Sequence, residues 1–109
     1  MRVLENELKK VVIEKGEFTY LISYNSVIAK VNNTINPKLN SYGLYLSNMW
    51  DFSNTTLKHL YDFIEVYTTQ RDDKGNMFAY QLGNEKNKKA YIQKQIDNKN
   101  IRLISELKM

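Results

Sequence analysis

The sequence predicts an α+β domain built as an antiparallel β-meander over about residues 10–48, packed against a capped helix over about 54–68. A second helix over about 85–98 follows, with a final strand over about 101–105 in one of two readings of the tail. Two observations carry this. Before residue 48 the apolar residues alternate, or run in short β-branched and aromatic groups between turn residues, which is a strand pattern. After Trp50 the period changes, and Leu57, Leu60, Tyr61, Phe63, Ile64 and Tyr67 recur at three- and four-residue steps along one face of a helix of about four turns.

In the meander, Val11-Val12-Ile13 leads into Glu14-Lys15-Gly16-Glu17, where glycine supplies a positive φ for a turn. Phe18-Thr19-Tyr20-Leu21-Ile22-Ser23-Tyr24 places Phe18, Tyr20, Ile22 and Tyr24 on one strand face. A tight connection at Asn25-Ser26 then delivers the strand Val27–Val31. Asn32–Ser41, rich in asparagine and holding the only proline, Pro37, reads as the longest loop. Leu44-Tyr45-Leu46 resumes extended structure.

The first helix has a complete start. With Ser53 as N-cap, its hydroxyl can accept from the backbone amide of Thr55 or Thr56, which the first turn leaves without an intrahelical partner. Phe52 and Leu57 stand at the two positions of a hydrophobic staple. Beyond the helix, Asp72-Asp73-Lys74-Gly75-Asn76 reads as a turn, and Met77–Leu82 fits a short helix or a strand equally. Asn84 or Asn87 can cap the second helix, whose Ile92 and Ile96 share a face. Asp97-Asn98-Lys99-Asn100 is poor in helix formers and suits a helix end. Ile101-Arg102-Leu103-Ile104 is then a strand, or else Ile96, Leu103 and Leu107 continue a helical face.

At 109 residues the chain is expected to form a single domain, residues 1–109. Apolar content of 42% with 26% charged residues is that of a globular protein. The absence of cysteine excludes disulfides, thiolate nucleophiles and sulfur-ligated zinc. A reducing compartment, the cytoplasm of a bacterial host, is the expectation, with no signal peptide and no membrane association. The formal charge of +4 is unevenly placed: residues 1–83 carry nine Lys/Arg and nine Asp/Glu, whereas Lys86, Lys88, Lys89, Lys94, Lys99 and Arg102 face only Glu85 and Asp97 over residues 84–102. These cations, with Tyr91 as a stacking surface, are the candidate binding residues for nucleic acid or a partner. Five of the six are lysines, suited to sequence-blind charge contact rather than bidentate base reading. A solvated helix face explains them equally well.

Three stretches together resemble small proteins of Gram-positive phages and mobile elements that carry a domain of unknown function. They are Ser23-Tyr24-Asn25-Ser26-Val27-Ile28-Ala29, Leu44-Tyr45-Leu46, and the block from Trp50 to Phe63. The last holds the motif residues Trp50, Asp51, Ser53, Thr55, Thr56, Lys58 and His59. The resemblance covers about residues 10–65, half the chain, and departs from the group at Asn54, where arginine is frequent. It implies a strand-meander-plus-helix domain and a phage or mobile-element origin. Inhibition of host defence, including anti-CRISPR activity, is prominent among the tasks such small proteins perform.

Catalytic chemistry has little to rest on. His59, the only imidazole, can serve as a base or proton-linked switch, although a hydrogen-bonded structural histidine is the commoner case. The hydroxyls of Ser53, Thr55 and Thr56 can help a helix N-terminus hold an anion, but capping explains the same residues. Glu7-Leu8-Lys9 and Glu106-Leu107-Lys108 reproduce a carboxylate–lysine spacing found in some nucleases, in a tripeptide common by chance. None of the four glycines lies in a phosphate-cradling motif.

The expectation is a non-enzymatic protein without metal or cofactor that binds and inhibits a host defence protein or ribonucleoprotein, a Cas nuclease being the specific candidate. Its charge argues against mimicry of DNA by an acidic surface. The alternative is a nucleic-acid-binding accessory module using the lysine-rich segment, and either would act as a monomer or a homodimer.

Overall fold

The computed structural model describes residues 1–34 and 42–109, so most of the expected Asn32–Ser41 loop, including Pro37, lies outside the described residues. The strands are β1 (Arg2–Asn6), β2 (Lys10–Lys15), β3 (Phe18–Ser23), β4 (Ser26–Asn32), β5 (Leu44–Ser47) and β6 (Arg102–Ile104). They form one sheet in sequence order, antiparallel from β1 to β5, with β6 added parallel to β5. Helix α1 (Asn54–Phe63) runs into a π-helical turn (Ile64–Thr68), followed by α2 (Asp73–Asn84) and α3 (Lys88–Asp97). The α+β architecture is the one the sequence predicts, and the tail forms a strand.

The sheet has two unlike faces because side chains alternate along each strand. Val12, Leu21, Ala29 and Leu46 lie in cross-strand register on the inner face, in one hydrophobic core with Leu60, Phe63 and Ile64. On the outer face Ile13, Tyr20, Lys30, Tyr45 and Arg102 form a second row in register. There the Lys30 ammonium lies 3.9 Å from the Phe18 ring centroid and 5.2 Å from that of Tyr45. Such contacts stabilise a desolvated cation through the negative ring face. Of the predicted Phe18-Tyr20-Ile22-Tyr24 face, the first three lie on this outer side and Tyr24 falls in the turn beyond the strand, while Thr19, Leu21 and Ser23 face the helices and are buried. Lys15 Nζ donates to the Met109 carbonyl at 3.1 Å and Leu107 is buried, so residues 105–109 cross the outer face from the β6 edge toward β2.

Several sequence expectations shift. The meander begins earlier, since Arg2–Asn6 pairs with β2 as an edge strand whose mixed polar pattern reflects exposure along one side. The Gly16 turn forms as expected, with φ +61°. The β3–β4 turn is centred on Tyr24 and Asn25, at φ 50° and 67°, one residue before the expected Asn25-Ser26. Both central residues at positive φ match the right-handed twist of the flanking strands.

Helix α1 starts as predicted: Ser53 Oγ accepts from the Thr56 amide at 3.1 Å. Leu60, Phe63 and Ile64 of the expected stripe are buried, with Leu57, Tyr61 and Tyr67 packed beside them. The staple does not close, because Phe52 remains 64% exposed. At its end the helix widens into the π turn, where Thr68 and Thr69 hydroxyls donate to the carbonyls of Ile64 and Glu65. Hydroxyls back-bonding four residues behind compete with backbone amides for those carbonyls.

The expected turn at 72–76 is instead the start of α2. Asp72 Oδ1 accepts from the Gly75 amide at 2.8 Å, so an aspartate–glycine pattern that resembles a turn is an N-cap. Met77–Leu82 is therefore helical. Its period was hidden because Met77 and Tyr80 project to solvent while Phe78, Ala79 and Leu82 face the core. Helix α3 begins at Lys88 rather than near 85, and of the two candidate caps Asn87 serves, its Oδ1 accepting from the Ala90 amide at 3.0 Å.

Candidate functional site

The motif residues converge on the junction between the β3–β4 turn and the first half of α1. Ser23, at the end of β3 and 1% exposed, has its Oγ 2.9 Å from His59 Nδ1 and 3.5 Å from Thr56 Oγ1. Ser53 Oγ donates to Thr56 Oγ1 at 3.1 Å while accepting from the Thr56 amide. Three hydroxyls and one imidazole thus form a continuous chain from sheet to helix N-terminus. Tyr24 continues it outward, with its ring 6.3 Å from that of His59 and the Lys9 ammonium 5.3 Å from its centroid.

A second polar seam borders the first. Lys10, opposite Ser23 in the β2–β3 pairing, is buried and donates to Glu5 Oε1 at 3.0 Å. Tyr67 in the π turn donates to Glu5 Oε2 at 2.6 Å. Burial alone would raise the Glu5 pKa, but the hydrogen bonds from Tyr67 and Lys10 outweigh it and hold the carboxyl below its ordinary value. Tyr67 is raised by burial and by its bond to that carboxylate. His59 is held below the ordinary histidine value, first by burial and then by the charge of Lys10, against the opposing pull of Asp62 and Glu7. A neutral imidazole beside a buried hydroxyl pins the hairpin to the helix. Ser23 Oγ is too deeply enclosed to meet a substrate directly.

The remaining motif residues divide by role. Trp50 is buried in the core, Thr55 and Lys58 lie on the surface, and Asp51 pairs with Lys89 at 3.5 Å. That pair is the direct link between the motif and the lysine-rich segment, and its exposure keeps its contribution small.

The lysine-rich segment does not gather into one stripe. Lys86 lies in the connection between α2 and α3, and Lys88 donates to the Glu85 carbonyl at 2.9 Å. Helical geometry separates Lys89 and Lys94 onto opposite flanks of the buried Ile92–Gln95 face of α3. Lys99 follows the helix at φ 67°, and Arg102 stands in the outer-face row of the sheet. Tyr91 is turned inward, its ring stacked 6.1 Å from Phe78.

The sequence reading missed the surface around α2. Tyr42, Phe78 and Tyr91 form a stack in which the first two rings lie 4.3 Å apart and 8° from parallel. Beside it a groove of about 530 Å³ is bounded by Met77 and Tyr80, and a second of about 530 Å³ on the far side of Tyr80 reaches Tyr61 and Lys88. Tyr80, 74% exposed, borders both grooves, and Met77, 72% exposed, stands at the edge of the first. The available signal was an apolar pair three residues apart in a segment that fitted no single period.

Among the described residues no group of three or more His, Asp or Glu side chains is placed to hold a metal, and no helix is long and apolar enough to cross a membrane. No curated protein and no solved structure matches the chain. Residues 5–80, which take in the meander from the end of β1, the hydroxyl–imidazole junction and most of α2, match a family of unknown function, DUF8033, and the chain belongs to that family.

Proposed function

We propose that this is a non-enzymatic binding protein of a phage or mobile element that restrains a host defence complex in the bacterial cytoplasm, a CRISPR–Cas nuclease being the specific candidate. The observation that carries the binding reading is the α2 ridge, where Tyr80 stands exposed between two grooves edged by Tyr42, Tyr61 and Tyr91 and Met77 stands exposed at the edge of the first. Methionine and tyrosine are enriched at protein interfaces because they bury much apolar area while keeping some polarity or pliancy. The resemblance to phage and mobile-element proteins supplies the class of partner. Contact is by protein or ribonucleoprotein surface, since the excess charge is positive.

The test is a cleavage assay with purified Cas nucleases from Gram-positive hosts, with the protein added before or after guide loading. Dose-dependent inhibition, lost in a Met77→Glu/Tyr80→Glu variant that retains its fold, supports the reading. Full cleavage with every nuclease at micromolar protein removes it.

A second reading, a nucleic-acid-binding accessory module, is favoured by Lys86, Lys94, Lys99 and Arg102, which are exposed and have no ion-pair partner among the described residues. It requires affinity that falls steeply with salt and drops when Lys86, Lys94 and Lys99 become glutamate. Their dispersal over different faces limits how many phosphates one strand can reach at once.

A further inference from the structure

A cavity of about 400 Å³ opens where the π turn and the residues after it meet β1–β4, and its lining shares no residue with the two grooves of the α2 ridge. Its lining includes Arg71, whose side chain is only 3% exposed. Arg71 Nη1 donates to Asp72 Oδ2 at 2.7 Å, but Arg71 Nε is buried and has no hydrogen-bond partner among the described residues. An orphaned donor on a buried cation is costly and rare in folded proteins. The backbone makes room for this guanidinium: a Cβ at Gly43, which sits at φ +65°, would fall 2.3 Å from Arg71 Nε.

The neighbouring amides share this bias toward donation. Asn32 Oδ1 accepts from the Thr34 amide at 3.0 Å and from Thr34 Oγ1 at 2.9 Å. A backbone N–H can only donate, so the orientation of the Asn32 amide is fixed. Asn33 Oδ1 accepts from Thr19 Oγ1 at 2.7 Å. Both amide oxygens are thus occupied, leaving two NH₂ groups without partners among the described residues. At the rim Arg2 offers a further guanidinium, paired at 3.6 Å with Glu14, the carboxylate in the lining.

We infer that this cavity is a binding site for an oxyanion group, a phosphate or a carboxylate of a small molecule, received by Arg71, Asn32, Asn33 and Arg2. Guanidinium and amide donors around one half-open cleft match the several acceptor lone pairs of such a group, and charge-assisted hydrogen bonds are the stronger kind. The volume exceeds that of the anionic group alone and lies within the range of small-molecule pockets. Leu4, Val66 and Tyr67 provide an apolar wall for the body that carries it. The site is independent of the proposed inhibitory role, and either can fail without the other.

The experiment follows the side-chain N–H resonances of Arg71 and Asn33 in ¹⁵N-labelled protein during titration with inorganic phosphate and, separately, with acetate. Saturable shifts at concentrations on the order of 10 mM or below are expected with one or both anions. Saturation by phosphate alone assigns a phosphate ligand, and saturation by acetate alone a carboxylate. Asn33→Asp retains the acceptor for Thr19 while replacing the free donor with a negative oxygen, and Arg2→Gln removes the rim charge. Each is expected to weaken binding about tenfold or more while leaving the melting temperature without anion close to that of the parent. The inference is overturned if neither anion shifts these resonances saturably, or if Asn33→Asp binds as tightly as the parent.

Discussion

His59 Nδ1 and Ser23 Oγ lie 2.9 Å apart across the seam between α1 and the end of β3, joining the two sequence blocks that define the motif. Ser23→Ala leaves His59 and Thr56 without this shared partner. The expected cost is about 1–3 kcal/mol, the range for stranding a buried hydrogen-bonding group. Urea denaturation measures it, and an unchanged midpoint would show that the seam is not a stabilising contact.

The same histidine gives stability a pH dependence of defined sign. Burial and Lys10 lower its pKa in the folded state, so the unfolded chain takes up the proton first, near the ordinary value of about 6.5. Its contribution is therefore complete above that pH and declines as pH falls toward the lower folded-state value. Stability is expected to decrease between pH 7 and 5.5 in the parent and to vary less in His59→Gln. Glu5, also lowered in the folded state, adds its own loss only below its unfolded-state value of about 4.5, so the two windows separate. Parallel pH profiles for parent and variant would refute the assignment.

Two glycines of α2 should respond oppositely to alanine. A Cβ at Gly75 would lie 2.2 Å from the Thr68 carbonyl oxygen, whereas one at Gly83 meets nothing within 4 Å. Gly83→Ala is expected to stabilise by about 0.5–1 kcal/mol through helix propensity and reduced unfolded-state entropy. Gly75→Ala should destabilise by about 1–3 kcal/mol, because backbone must move to admit the methyl group. Thermal melts of both variants decide the matter, and stabilisation by Gly75→Ala would contradict the close approach.

Asp72 caps α2 and neutralises Arg71. Asp72→Ala removes both interactions and leaves a buried cation, so a loss of about 3–5 kcal/mol is expected. Asp72→Asn preserves the cap alone and should recover only part of it. Urea denaturation of both variants checks this, and an Asp72→Asn variant as stable as the parent would show that the Arg71 contact contributes nothing.

The proposed interface predicts a separation of stability from binding. Met77→Glu and Tyr80→Glu alter side chains that are largely in water, so stability should stay within about 0.5 kcal/mol of the parent. Inhibition of the partner nuclease should fall at least tenfold, as for loss of central interface anchors. Cleavage assays beside melting curves test both halves, and full inhibition by the double variant would move the interface elsewhere.

Where one face of an element was buried and its termini had local chemistry, the sequence was legible. The Ser53 cap, the Leu60–Phe63–Ile64 stripe and the Gly16 turn emerged as read. Helix α2 was obscured because its N-cap resembles a turn and its solvent face carries Met77 and Tyr80, which masked the period set by Phe78, Ala79 and Leu82. Strand β1 was overlooked because an edge strand need not alternate cleanly.

By itself the sequence determined the class of the fold, the change from strand to helix near Trp50 and the placement of the excess positive charge, because periodicity, capping and composition act within a few residues of chain. Only the tertiary structure decided that Ser23 meets His59, that the lysines of residues 84–102 face different directions, and that Arg71 is buried beside Asn32 and Asn33 with a donor to spare. These relationships join residues up to several dozen positions apart, and they arise when packing the shared core fixes the mutual placement of strands and helices, which no local pattern encodes.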